Sequence, residues 1–324
     1  MAFRQRKVVD WFDEISRGHD YRREYGVEKR WSEAEQRFYN RYKNQGHPSS
    51  NLIAEIGDSI LSELTVPNPY ISVDARDERG VITAPLVETV HNGLMWDIDV
   101  PSQFEDAVLH TFLWGTGFFK IGFDSEFGYD PSLSPPGLEG MTFTQFNKKG
   151  HRIEFGLGNP GMPWVSAVLP HDMTWPWGTT RHTDQAEWCA HRVVRHIEDV
   201  KADPKYENTR SLQPTMSMKD WMDSYNSAMK PHRTGEVMMT TRDRYTRGGE
   251  ARFVELFEIH DQRTGKIFVV ASGHQKFLRN EPDLMQVDGL PFVAMSFVPR
   301  SRSVWTTSDA EYLRAHQAEM ADIA

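Results

Sequence analysis

The sequence predicts an α+β fold of mixed helices and antiparallel strands. Three observations carry this prediction. Apolar residues recur with the 3.6-residue helical period through most of the first 115 positions. The period drops to two just after Gly115-Thr116-Gly117. Further on, two short alternating runs flank Asp261-Gln-Arg-Thr-Gly265, a hairpin with glycine in its loop.

The early elements follow in order. Val8, Trp11, Phe12 and Ile15 form one narrow apolar stripe, and Trp31, Ala34, Phe38 and Tyr42 form another beyond a break at Tyr25-Gly26. Both read as charged surface helices docked by one face. Ile53, Ile56, Ile60 and Leu64 share the face of a third helix, which ends before Pro67-Asn-Pro69. Tyr70-Ile-Ser-Val-Asp-Ala alternates as a strand does, and Asp77-Glu-Arg-Gly80 is a polar turn. Pro85 opens a helix carrying Val87, Val90 and Leu94, because proline loses nothing in a first turn.

Residues 101–125 are the central unit. Ser102 and Glu105 have capping-box spacing. Phe104, Ala107, Val108, Thr111, Phe112 and Gly115 line one helical face. After the glycine turn, Phe119, Ile121 and Phe123 alternate with Lys120, Gly122 and Asp124, which predicts an amphipathic strand with the aromatic residues on its apolar face. The unit supplies no nucleophile or base, which points to a structural part.

Later elements are shorter. Residues 127–150, rich in proline and glycine, read as a long loop or insertion of the kind that often contacts a neighbour. His151-Arg-Ile-Glu-Phe, Trp164-Val-Ser-Ala-Val-Leu and the run from Glu187 to Val194 read as strands. Pro170-His-Asp-Met-Thr-Trp-Pro-Trp-Gly is a rigid aromatic turn, and His196 to Asp203 makes one or two helical turns closed by Pro204. Residues 205–250 are polar. Within them Met218, Trp221, Met222, Tyr225 and Met229 share a helical face, a packing surface by default and an adaptable partner surface otherwise. The only locally basic stretch holds Lys230, Arg233, Arg242, Arg244, Arg247 and Arg252. Phe253 to Ile259 and Lys266 to Ala271 are the hairpin strands, and Leu290-Pro-Phe-Val-Ala-Met-Ser-Phe-Val is another strand. Ser308-Asp-Ala-Glu311 is a capping box opening a helix that reaches the last residue without a stop signal, as expected of part of a longer polypeptide.

Composition narrows the function. The 324 residues allow two domains or one elaborate one. A hydrophobic share of 39% with 26% charged residues fits a globular protein. The 37 basic and 46 acidic residues give a net charge of −9, unlike a strongly basic nucleic-acid binder. The single cysteine, Cys189, excludes an intramolecular disulfide and a zinc–cysteine cluster, and its mid-strand place reads as a buried, inert thiol. No apolar run is long enough for a membrane span.

Catalytic and cofactor motifs are absent or blocked. Gly156-Leu-Gly-Asn-Pro-Gly161 matches G-x-G-x-x-G, but Pro160 and Pro163 block the helix that a pyrophosphate needs. There is no P-loop, no H-E-x-x-H and no G-x-S-x-G. His191 and His196 span a strand-to-helix change and share no helix face. No catalytic residue, metal ligand or cofactor follows from these patterns.

A series of segments then resembles, in order, one known family. They are Phe38-Tyr-Asn-Arg-Tyr42; Asn51-Leu-Ile-Ala-Glu-Ile-Gly57 with Pro69-Tyr-Ile-Ser-Val73; and Phe104-Glu-Asp-Ala-Val-Leu109 running into Trp114-Gly-Thr-Gly-Phe-Phe-Lys-Ile-Gly122. Val168-Leu-Pro-His-Asp172 follows with Pro176-Trp-Gly178, then Glu187-Trp-Cys-Ala-His-Arg192 with His196-Ile-Glu-Asp-Val200, then Gly289-Leu-Pro-Phe-Val293 and the helix with Gln317. Together these resemble the portal (head-to-tail connector) protein of tailed bacteriophages, of the short-tailed type, over roughly residues 35–324.

The resemblance implies a ring of twelve identical subunits at one capsid vertex of the virion, assembled in the host cytoplasm. Double-stranded DNA would pass through its channel without sequence preference. The implied partners are further copies of the chain, the major capsid protein, a terminase ATPase and head-tail adaptor or tail proteins. On that map residues 1–35 are an N-terminal charged helical segment, 36–305 a wing-like domain and 306–324 the start of a long stem helix, with clip and crown beyond. Arg242, Arg244 and Arg247 are the expected DNA or partner contacts, and Trp175, Trp177 and Trp221 the expected subunit contacts. The alternatives are another phage head-tail adaptor or capsid-associated protein and, further off, an α+β hydrolase using His171, Asp172 and His191.

Overall fold

The computed structural model describes residues 6–39, 51–65, 69–124, 142–146, 152–156, 162–220, 252–283 and 289–323, with backbone alone for 142–146, 152–156, 162 and 321–323. Helices α1 (Val8–Glu24), α2 (Val27–Phe38), α3 (Leu52–Leu64), α4 (Ala84–Asp97) and α5 (Val100–Trp114) come first. Strands β1 (Gly117–Asp124), β2 (Thr142–Phe146), β3 (Arg152–Gly156), β4 (Met162–Val168), β5 (Met173–Thr174) and β6 (Trp188–His196) follow. The short helix α6 (Ile197–Ala202) precedes β7 (Phe253–Asp261), β8 (Lys266–Ala271), β9 (Arg279–Pro282) and β10 (Phe292–Met295), and α7 (Asp309–Ile323) comes last. The fold is therefore mixed α+β with antiparallel sheets.

The strands form a three-stranded sheet in the order β10-β1-β4, a two-stranded pair β2-β3 and a five-stranded sheet β5-β6-β7-β8-β9. Helices α2, α3 and α5 and the start of α7 share a core with the three-stranded sheet, built on Trp31, Ile53, Phe112, Phe118, Trp175, Phe292 and Trp305. Helix α1 lays Trp11 and Ile15 on Trp188, Ile259, Phe268 and Val270, one face of the five-stranded sheet. The opposite face carries Val254, Leu256 and Val269 under Val200 of α6. Strand side chains alternate in direction, so Glu258 and His260 lie on that second face too.

The buried face of α5 holds Ala107, Val108, Thr111 and Phe112, as the period predicted, and adds Leu113 and Trp114. Its predicted capping box does not form. The helix starts earlier, at Val100, and Ser102 donates to Asp99 Oδ1 at 2.8 Å. The box before α7 forms on its serine side: Ser308 Oγ accepts from the Glu311 N–H at 3.1 Å. The run 70–75 belongs to no strand. Side chains of α4 hold it instead: Asn92 accepts from the Ile71 N–H and donates to the Ile71 carbonyl, both at 2.8 Å, while Glu88 accepts from Val73 N–H at 2.9 Å. Within the stretch expected to be a loop at 127–150, β2 is a strand paired with β3; the rest of that stretch lies outside the described residues.

Strand β1 turns the opposite way from the expectation. Phe118 is fully buried and shares its face with Lys120 and Gly122, while Ile121 (36%) and Phe123 (44%) are exposed. A one-residue change in which face points inward exchanges every side chain of a strand. Helix α4 departs in the same sense. It buries only Ala84 and Met95, leaving Val87 and Val90 of the expected face exposed beside Leu86 and Trp96.

The two N-terminal helices are fastened by Arg22. Its guanidinium donates to Glu28 at 2.7 Å and to the carbonyls of Pro170, His171 and Met173 at 3.2, 2.8 and 3.1 Å. It also rests on the rings of Trp31 and Trp305. Removing it strands buried acceptors, each of which then bears its own desolvation cost. Arg22→Met is expected to lower unfolding stability by about 3 kcal/mol, at the upper end for single substitutions. Urea unfolding at unchanged m-value measures it; a loss within the roughly 0.5 kcal/mol of an ordinary surface site would contradict this role.

Candidate functional site, a buried charge cluster between two sheets

Lys120 reaches from β1 across the gap between the sheets. Its ammonium donates to Glu258 Oε1 on β7 at 2.7 Å and lies 3.5 Å from His191 Nδ1 on β6. Two aromatic rings border it, Trp164 and Phe292, each centred 5.7 Å away. A cation near ring faces is attracted by their negative quadrupole. The stem of Lys120 is enclosed because Gly122, next on the same face, has no side chain. A Cβ there would come within 2.1 Å of the Trp164 ring.

The cluster continues through His260. Its Nε2 lies 2.8 Å from Glu258 Oε1 and its Nδ1 3.0 Å from Asp283 Oδ2, just past β9. Phe292 packs against both His191 and His260. Burial alone would push the Glu258 carboxyl up, but the Lys120 charge and the His260 hydrogen bond hold it well below the usual carboxylate range. Burial would push His260 down, but hydrogen bonds to Asp283 and Glu258 outweigh that and raise it. His191 goes the other way: burial and then the Lys120 charge lower it to about 3, so it stays neutral. Cys189, opposite His260 in the ladder, is buried, and burial pushes its thiol well up, as expected of an inert thiol.

A second polar group occupies the helical side. The His171 ring sits 4.6 Å from Trp31 and 5.0 Å from Trp114, which His110 also touches at 5.0 Å. Burial, then the charge of Arg22, lowers His171 to about 3, and burial lowers His110 to about 4. Asp172 faces away into a separate ion pair with Arg192 at 3.0 Å, and Arg192 also holds Glu255 at 2.7 Å. The three residues of the hydrolase alternative thus occupy three different surroundings. Among the described residues no three His, Cys, Asp or Glu side chains are grouped to hold a metal ion.

The remaining sequence candidates divide as follows. Trp175 is a correction: it is fully buried against Phe118 and Phe292, because its flat ring completes the main core, and it presents no surface to a neighbour. Trp177 is half exposed, resting on Tyr21. Trp221, Arg242, Arg244 and Arg247 lie outside the described residues. Sequence reasoning missed Lys120, Glu258, His260 and Asp283. The one available signal was a lysine between Phe119 and Ile121 in a core strand.

Two outcomes follow from the charges. Lys120→Met leaves Glu258 without its main counter-charge and is expected to cost about 3 kcal/mol, with part of that recovered in Lys120→Met/Glu258→Gln. A double-mutant cycle by chemical denaturation measures this, and additive losses would contradict the pair. His110, His171 and His191 have folded pKa values below 6.5, so the unfolded chain binds protons first as pH falls. Their contribution is full above that value and declines below it, by about 1.4 kcal/mol for each histidine between pH 7.5 and 5.5, with His260 opposing. His171→Gln should remove about 1.4 kcal/mol of this pH dependence in parallel urea titrations. An unchanged slope would contradict the neutral assignment.

Compared with models of known protein families and with curated proteins, the chain matches none.

Proposed function

We propose that this chain is the ring-forming portal subunit of a tailed-bacteriophage capsid, a structural conduit for double-stranded DNA. In this reading it forms a twelve-membered ring at one capsid vertex, and terminase and tail proteins attach to that ring. The ordered segments from Phe38 to Gln317 suggest the family. The observation that carries the assembly is the apolar arm of α4 with its preceding strap. Val81, Ile82, Leu86, Val90 and Trp96 are all exposed there, Ile82 at 87%. Gly93 faces open space. Contiguous exposed apolar surface of this kind marks an interaction site.

A closed ring needs two different patches on each copy, one fitting the other around the axis. On the face of the three-stranded sheet where Phe104 of α5 stacks on Phe119, the part α5 leaves exposed offers a second patch: Ile121 and Phe123 on β1, and Val293 on β10. Seating α4 of one copy on that face of the next would bury both. The buried charge cluster fits a structural role, since its groups neutralise one another. Trp177 stays a candidate subunit contact, and Arg242, Arg244 and Arg247 candidate contacts to DNA or a partner.

Single-particle imaging of the purified protein, from its complete reading frame, tests the reading. A twelvefold ring with a central channel is expected, and Val90→Asp should shift it towards folded monomers by sedimentation. A wild-type protein that stays a monodisperse monomer would overturn the proposal.

A further inference from the structure

We propose that the arginines around Trp177 form a binding surface for the phosphate backbone of duplex DNA. This assigns one face of the subunit to the proposed conduit, and it rests on that reading for the choice of DNA over an acidic peptide. Trp177 is half exposed. Gly178 after it has a φ of 82°, and a Cβ there would meet nothing within 4 Å. Tyr21 joins the parts of this surface. Its ring lies 5.1 Å from that of Trp177 and 5.3 Å from that of Tyr25. Its hydroxyl donates to the Thr179 carbonyl at 2.8 Å and lies 3.2 Å from Ser303 Oγ. The Val304 N–H donates to the same carbonyl at 2.9 Å.

Four arginines stand on this frame. Arg302 directly precedes Ser303 and Arg181 lies just beyond Thr179; both are exposed. Arg300 lies over the Tyr25 ring at 5.8 Å and donates to Thr307 Oγ1 at 2.5 Å. Arg30 of α2 borders the Tyr25-Gly26 turn, its Nη2 3.5 Å from where a Cβ on Gly26 would stand. Arginines elsewhere in the fold, such as Arg17, Arg23, Arg192, Arg195 and Arg263, each hold a carboxylate. Among the described residues none of these four does. Carboxylates are not scarce, with 46 acidic residues against 37 basic ones. Those on the adjoining helices are engaged: Asp20 with Arg23, Glu28 with Arg22 and Glu33 with Arg314. Glu24, exposed at the end of α1, opposes the arginines as a single charge. Guanidinium groups left without counter-charges on separate segments suit an anion that repeats along a chain. Each presents a planar fork that fits phosphate oxygens. Contacts to phosphate hold a protein on DNA without reading its sequence, as a conduit requires.

Fluorescence anisotropy of the complete chain with a random-sequence duplex of about 30 base pairs tests this. Neutralising four phosphates should cost at least about 100-fold in affinity between about 50 and 200 mM salt. Arg181→Gln/Arg302→Gln should make the slope of log affinity against log salt shallower by about 2 and weaken binding alike on unrelated sequences. Arg17→Gln, exposed on α1 and outside this surface, should change neither. An unchanged slope in the double variant would overturn the surface. So would displacement of the duplex by polyglutamate at equal charge concentration, which would mark an acidic protein as the partner. The ring is read separately by imaging. A twelvefold ring whose DNA binding ignores these arginines would overturn the surface alone, and a monomer with arginine-dependent DNA binding would overturn the ring alone.

Discussion

An ammonium group placed between two sheets constrains everything around it. Moving such a charge out of water costs several kcal/mol after relaxation, and the cost is offset only where a counter-charge and good hydrogen bonds meet it. Lys120 satisfies this with Glu258, and its flanks are closed by the Trp164 and Phe292 rings. Each neighbour is then committed. Gly122 must lack a side chain so that Trp164 can lie across the strand. Glu258 must stay ionised, which draws His260 and through it Asp283 into the same network. One charge and its compensation thus tie β1 to β6 and β7 beside the apolar core.

The helical side obeys the same rule with a different cation. Arg22 spreads its charge over three carbonyls, a carboxylate and two indole rings, so no single contact bears the whole desolvation. His171, a few ångströms away, gives up its charge instead. Cation and neutral imidazole divide one aromatic-walled space: the guanidinium takes the acceptors and the histidine fills the gap between Trp31 and Trp114. The 12% aromatic content of the chain is used here for enclosure of polar groups as much as for apolar packing.

Much of the fold was legible because local pattern and tertiary environment agree. The face of α5, the hairpin of β7 and β8 and the serine cap before α7 all rest on neighbours close in sequence. The face of β1 did not, because Phe118 and Phe119 offer an aromatic residue to either side. The partners on the inward side are distant in sequence and invisible to periodicity: Trp175 and Trp305 against Phe118, and Glu258 against Lys120. Helix α4 misled for the opposite reason: its apolar spacing is real, but among the described residues nothing buries Val87 and Val90. The charge cluster was illegible because its members come from β1, β6, β7 and the end of β9, and only the sheet pairing brings them together. Residues 70–75 show a subtler limit, since their partner is a pair of side chains one helical turn apart, not a strand.

The turn between α5 and β1 has a mechanical meaning. Gly115 has a positive φ of 84°, and a Cβ there would meet the Thr306 carbonyl at 2.5 Å. Thr116 donates to the Val304 carbonyl and Thr306 to that of Gly115. The backbone that launches α7 is thus pressed against the backbone that ends α5, and the Thr116 and Thr306 hydroxyls bond across the join. The start of the last helix is therefore tied to the end of α5 by a main-chain contact and by these two hydroxyls. A shift at the end of α5 is thereby passed to the start of α7, as through a coupling in a drive train.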